Sequence, residues 1–115
     1  YRLQEKAAGV GFDWNEPSQV WDKVQEELQE LEEEVKNQNS QEKIEEEFGD
    51  VLFALINYAR FLKIKPEHAL EKTNRKFIKR FQYIEQIAQE RNKKLQEMTL
   101  EEMETIWNNA KIMEE

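Results

Sequence analysis

Apolar residues recur in this chain at helical spacing almost from end to end, and very little interrupts them. Val20, Val24, Leu28, Leu31 and Val35 return every three or four residues, which gathers them on one side of a helix and would scatter them across a strand. Ile44, Phe48, Val51, Leu52, Leu55, Ile56, Ala59 and Leu62 repeat the pattern, and so do Ala69, Thr73, Phe77, Phe81, Ile84, Ile87 and Ala88. A last stripe is Leu100, Met103, Ile106, Trp107 and Ala110. The 115 residues include only three glycines and two prolines, too few for the turns of a sandwich or barrel. The expectation is an all-α fold, a helical bundle of about five helices with short connections between antiparallel neighbours.

Local signals set the boundaries. Tyr1 to Ala8 reads as the end of a helix with Gly9 as its stop. Gly11 to Pro17 is a loop, and Pro17 suits the first turn of a helix running to about Val35. Asn37-Gln-Asn-Ser40 breaks that helix, and Ser40 is a good N-cap for the third. Lys63-Ile-Lys-Pro66 leads into a fourth, reaching about Arg91, and Thr99 with Glu102 makes a capping box for a fifth. Residues 1–115 are expected to form one domain; the chain opens on Tyr1 rather than Met, so it is read as a possible fragment of a longer protein.

Charge and composition narrow the classes of function. A net charge of −8 argues against binding to nucleic-acid polymers or anionic membranes. The absence of cysteine removes disulfides, thiol catalysis and thiolate metal sites together. No apolar run approaches the ~18 residues of a membrane span and no signal peptide is visible, so a cytoplasmic location is expected.

The informative residues are polar ones that intrude on the apolar stripes. Glu27 borders the Val20–Val24–Leu31 stripe, with Glu30 and Glu34 slightly further out; Glu47 borders the next stripe, with Asp50 one turn along. Each i, i+3 pair shares a helix face. A carboxylate half-buried against apolar neighbours is costly unless a cation or donor compensates it, and two such edges suggest one shared divalent ion. On the fourth helix Lys76 and Arg80 form an i, i+4 cationic pair suited to a polyphosphate. Trp107 and Lys111 set an aromatic face beside a cation, and Lys43 lies one turn before Glu47.

Each feature also has a plainer reading. An E-x-x-E is most often a solvated face, because glutamate is a common helix former. Arg80 would serve equally in a structural ion pair with Glu27 or Asp50. Core packing is the default for Trp14, Trp21 and Trp107, and exposure for His68.

Taken together, Glu27-x-x-Glu30 followed by Glu47-x-x-Asp50 resembles the MazG family of nucleoside triphosphate pyrophosphohydrolases. Gly11-Phe-Asp-Trp14, Glu45-Glu-Glu-Phe-Gly-Asp-Val-Leu-Phe-Ala54, Asn57-Tyr-Ala-Arg60 and Ala69-Leu-Glu-Lys-Thr-Asn-Arg-Lys-Phe-Ile-Lys-Arg-Phe81 are similar to its signature blocks. The resemblance covers nearly the whole chain and is closest to the C-terminal of two MazG domains in tandem bacterial proteins. It implies an all-α fold whose four-helix-bundle core is completed by homodimerisation. It further implies Mg²⁺, with Mn²⁺ able to substitute, on Glu27, Glu30, Glu47 and Asp50 as metal-binding and catalytic residues. Lys43, Lys76, Arg80, Trp107 and Lys111 match its substrate-binding positions.

The expected reaction is NTP + H₂O → NMP + pyrophosphate, with broad base tolerance suited to clearing the nucleotide pool. Glu30 or Glu34 would be the general base, and Trp107 or Trp14 would stack on the base. A di-iron carboxylate bundle needs two Glu-x-x-His motifs, and the single histidine, His68, excludes it. The remaining rivals are the same fold narrowed to dUTP or a damaged nucleotide, and a non-catalytic helical interaction module.

Overall fold

The structure, a computed structural model, describes residues 1–114, and these are all-α, with no strand among them. The helices are α1 (Arg2–Gly9), α2 (Pro17–Lys36), α3 (Gln41–Phe61), α4 (Pro66–Glu90) and α5 (Leu100–Met113), with a 3₁₀ turn at Leu95–Glu97. No described helix is long and apolar enough to cross a membrane.

The starts follow the local chemistry. Pro17 opens α2, where a missing N–H costs nothing. The Ser40 hydroxyl accepts from the Lys43 N–H at 3.3 Å. At α5 the Glu102 N–H donates to Thr99 Oγ1 at 3.1 Å, and Glu102 Oε1 accepts from the Thr99 N–H at 3.5 Å, closing the expected capping box.

The ends hold a surprise. Gly9 is not the stop of α1 but its last helical residue; Gly11, at φ 94°, makes the left-handed turn. There the Phe12 N–H reaches Ala7 O at 3.0 Å and the Gly11 N–H reaches Ala8 O at 2.9 Å, the Schellman pattern. The same pair of bonds closes α2, α3 and α4 around Gln38, Lys63 and Asn92, at φ 51°, 60° and 55°. Glycine is the cheap residue for this turn, yet only α1 uses one.

The chain divides into two compact units, Tyr1–Pro66 and Glu67–Glu115. In the first, the short 37–40 link folds α3 back along α2. The Trp21 and Tyr58 rings lie 5.1 Å apart and Glu27 and Glu30 meet Glu47, so residue numbers rise along one helix as they fall along the other. Val20, Val24, Val51 and Ala54 are buried in this unit, while Gln4 ties α1 to α3 by donating to Phe53 O at 2.9 Å. Trp14 and Trp21 are 46% and 41% exposed, not core as expected. Leu28, Val35, Phe48, Leu52, Leu55 and Leu62 are exposed as well. A helix hairpin buries one seam, and the expected stripes are wider than that seam.

In the second unit Ile84, Ala88, Met98 and Ile106 form the core, with Tyr83, Ile87, Leu95, Met103 and Trp107 packed around it. Burying one such isoleucine contributes about 1.5–3 kcal/mol. Ala69, Thr73 and Phe77, all expected inward, are exposed, and Phe81 is 36% exposed. Within this unit the reason is length: α5 has 14 residues against the 25 of α4 and can cover only part of it. His68 is exposed, as expected.

Candidate functional site

The hairpin of the first unit concentrates negative charge. One carboxylate oxygen each from Glu27, Glu30 and Glu47 lies within 4.8 Å of the others. Glu27 is buried at the α2–α3 seam while Glu30 and Glu47 are half-buried. Lys23, one turn earlier, reaches Glu27 Oε1 at 3.0 Å. The second oxygen of Glu27 and the Oε2 of Glu47 are buried without a hydrogen-bond partner. Two orphaned acceptors on neighbouring carboxylates are rare in a folded protein, since each forfeits its solvation for nothing.

The electrostatics carry the same strain. The Glu27 charge, then burial and the Glu47 charge, raise the Glu30 carboxyl above its ordinary value. Burial, then the charges of Asp50 and Glu27, raise Glu47. A cation held among these oxygens would relieve both effects and satisfy both orphans. The donor set is all carboxylate, which suits a hard ion such as Mg²⁺, Mn²⁺ or Ca²⁺ rather than a thiophilic one.

Asp50, the fourth expected ligand, is exposed and lies outside this group of three, although its charge acts on Glu47. Glu34 is occupied elsewhere: its Oε2 accepts from Asn39 Nδ2 at 2.6 Å, bracing the α2–α3 turn. Lys43 is exposed in the first turn of α3.

Of the expected substrate residues in the second unit, two meet. The Arg80 guanidinium lies 5.3 Å from the Trp107 ring centre, a cation–π geometry. It also forks onto Glu114, with Nε at 3.3 and 3.2 Å and the terminal nitrogen at 2.9 Å. That bridge holds the Glu114 carboxyl below its ordinary value. Arg80 thus has a structural partner, though neither Glu27 nor Asp50 is that partner. Phe77 packs on Trp107 at 5.3 Å. Lys76 and Lys111 are exposed; the charge of Lys76 acts on Glu114.

A third polar group carried no expected role. Arg60 pairs with Asp13, and its Nε donates to Asn57 Oδ1 at 3.1 Å. Asp13 Oδ1 also accepts the Trp14 N–H at 2.8 Å. These residues fall in the Gly11–Trp14 and Asn57–Arg60 blocks, so the signal was present, but nothing in either block says that the two would meet.

Comparison with known proteins agrees with this picture. The family model "MazG nucleotide pyrophosphohydrolase domain" matches residues 15–85, which run from the start of α2 through most of α4. The chain is 43% identical over 110 residues to the nucleoside triphosphate pyrophosphohydrolase/pyrophosphatase MazG of Thermotoga maritima, covering 96% of this chain and 42% of that protein. It is 43% identical over 114 residues to a nucleoside triphosphate pyrophosphohydrolase of Escherichia coli K12, covering 98% and 43%. An uncharacterised Bacillus subtilis protein, YabN, is 58% identical over 65 residues, 56% of this chain and 13% of that protein. The chain thus spans less than half the length of these curated relatives. With a family model over α2, α3 and most of α4, and 43% identity over nearly its whole length, the chain belongs to the MazG nucleotide pyrophosphohydrolase domain family.

Proposed function

We propose that this chain hydrolyses nucleoside triphosphates to the monophosphate and pyrophosphate, using Mg²⁺ held by Glu27, Glu30, Glu47 and Asp50. The observation that carries the proposal is the pair of orphaned, buried oxygens on Glu27 and Glu47 inside a three-carboxylate cluster. A merely solvated acidic face would leave those oxygens in water.

When bound, the ion supplies charge neutralisation for the phosphates and acidifies the attacking water. Glu27 and Glu47 are the anchoring ligands, being the most desolvated. Asp50 completes the set from one turn further along α3. Of the two outer glutamates, Glu34 is tied to Asn39, which favours Glu30 as the proton acceptor. Lys43, Lys76, Arg80 and Lys111 provide positive charge for the phosphates, Arg80 through a planar fork suited to a departing pyrophosphate. For Arg80 this requires phosphate to displace Glu114. Trp107 or Trp14 offers a stacking face to the base.

The whole of 1–115 is proposed to act as one catalytic domain, with broad base tolerance. The exposed Phe48, Leu52, Leu55 and Phe77 favour a homodimer that covers them. The test is direct: incubate the protein with Mg²⁺ and a panel of NTPs, dUTP included, and follow products by ³¹P NMR. Pyrophosphate with NMP is expected. Orthophosphate with NDP, or no turnover, would sink the reading, and turnover of one member alone would narrow it.

A further inference from the structure

Glu114 stands where helix chemistry disfavours an acid. It caps the C-terminal end of α5, one residue beyond Met113, and its N–H bonds back to Ala110 O and Lys111 O at 3.2 and 3.3 Å. The last carbonyls of a helix carry partial negative charge, which attracts cations and repels a carboxylate. What holds this carboxylate is a partner on another helix. Both of its oxygens accept from Arg80, and only 16% of the Arg80 side chain and 25% of that of Glu114 remain exposed.

A guanidinium offers the same planar fork to phosphate as to carboxylate. The Trp107 ring lies against it, and the charges of Lys79 and Lys76 bear on Glu114 as well. Three cations and an aromatic face thus converge on one acid, which is a polyanion site holding an anion of the chain's own. An intramolecular carboxylate has a high effective concentration, so it outcompetes dilute anions. Opening it is nonetheless easy, because a terminal helical turn frays at little cost and the α5 dipole pushes the carboxylate the same way.

We propose that Glu114 is an autoinhibitory latch, occupying the Arg80 fork until the polyphosphate of a substrate displaces it. The inference rests on the pyrophosphohydrolase reading above, in which Arg80 receives the departing pyrophosphate. It adds that every anion needing Arg80 binds more weakly, by the fraction of molecules whose fork is free. A weakly held anion such as orthophosphate therefore leaves the latch closed, while a polyphosphate has more charge to set against the three cations and opens it.

The test is Glu114→Gln, which keeps the size of the side chain and removes its charge. KM for NTPs is expected to fall about fivefold, with kcat within about twofold of wild type. In an Arg80→Ala background the same substitution should leave KM unchanged, because the latch then has nothing to hold. Glu101→Gln, on the same helix, removes an equal charge and should also leave KM unchanged. An unaltered or raised KM in Glu114→Gln would overturn the proposal. So would an equal fall in the Arg80→Ala background or in Glu101→Gln, either of which reports only a less negative protein. If wild type releases pyrophosphate from no triphosphate, the parent reading has failed. The latch is then judged by titrating inorganic pyrophosphate against the ¹⁵N NMR signal of Arg80 Nε. A shift whose dissociation constant is about fivefold lower in Glu114→Gln supports it; no shift, or equal constants, overturns it.

Discussion

In the first unit, Glu27, Glu30 and Glu47 crowd negative charge together and leave two buried oxygens unpaired. In the second, Arg80 is fully engaged, forked onto Glu114 and stacked over Trp107. Both groups violate an apolar stripe in the sequence, yet the fold treats them in opposite ways. Within the hairpin Lys23 compensates one oxygen of Glu27, while Glu47 meets carboxylates of its own sign, Asp50 and Glu34 included. The arginine finds a carboxylate within its own unit. An intrusive charge with no partner points to a ligand from outside; one with a partner is ambiguous until that partner is removed.

The sharpest way to break this comparison is Glu47→Gln. Pyrophosphate release should fall at least about a hundredfold, while the melting temperature without divalent ions rises, because one repelling charge is gone. Mg²⁺ should stabilise the wild type and not the variant in the same melts. Full activity in the variant would return the acidic cluster to solvated surface. Arg80→Ala comes next: KM should rise about tenfold with a lower kcat, and the melting temperature should drop by a few degrees as Glu114 and Trp107 lose their partner. Unchanged kinetics with a lowered melting temperature would make the arginine structural.

Acid should separate the two regions by sign. Glu114 is held below its ordinary 4.5 in the folded state, so its stabilisation is present above that pH and is lost as pH falls through the depressed value. Glu114→Gln should therefore be less stable than wild type at pH 7, with the gap closing below 4.5. Glu47 is raised, so its ionisation opposes folding above its raised value, and this penalty is relieved as pH falls towards 4.5. In metal-free protein Glu47→Gln should lead wild type at pH 7 and lose that lead on acidification. Thermal melts of both variants across pH 3–7 check the pair.

The smallest effect concerns the helix ends. Lys63 holds the left-handed turn after α3 at φ 60°, a conformation that costs a side-chain-bearing residue about 1–2 kcal/mol. Lys63→Gly should recover up to about 1 kcal/mol, less the entropy of a freer unfolded chain, and should leave pyrophosphate release unchanged. A lowered denaturation midpoint would show that the lysine side chain contributes more than its backbone strain costs.

Much of this was legible in the residues. Helix starts were, because Pro17, Ser40 and Thr99–Glu102 act through bonds to their own next turn. Helix ends were less so: Gly9 looked like the stop, while the turn itself sits at Gly11 and then at Gln38, Lys63 and Asn92, which carry no glycine signal. The acidic residues were recognisable through spacing and resemblance, since i, i+3 pairs on a helix share a face whatever surrounds them.

The amino-acid sequence alone determined that the chain is helical, where each helix begins, and which carboxylates border its apolar stripes, because those properties are local or periodic. Tertiary structure decided the rest. It brought Glu47 against Glu27 and Glu30 and left Asp50 outside them; it gave Arg80 to Glu114, and joined Asp13 to Arg60 across 47 positions of chain. It also left Trp14 and Phe77 uncovered. The physical reason is common to all of these: a contact between distant residues depends on how two helices face each other, and helical periodicity specifies only the face that each one offers.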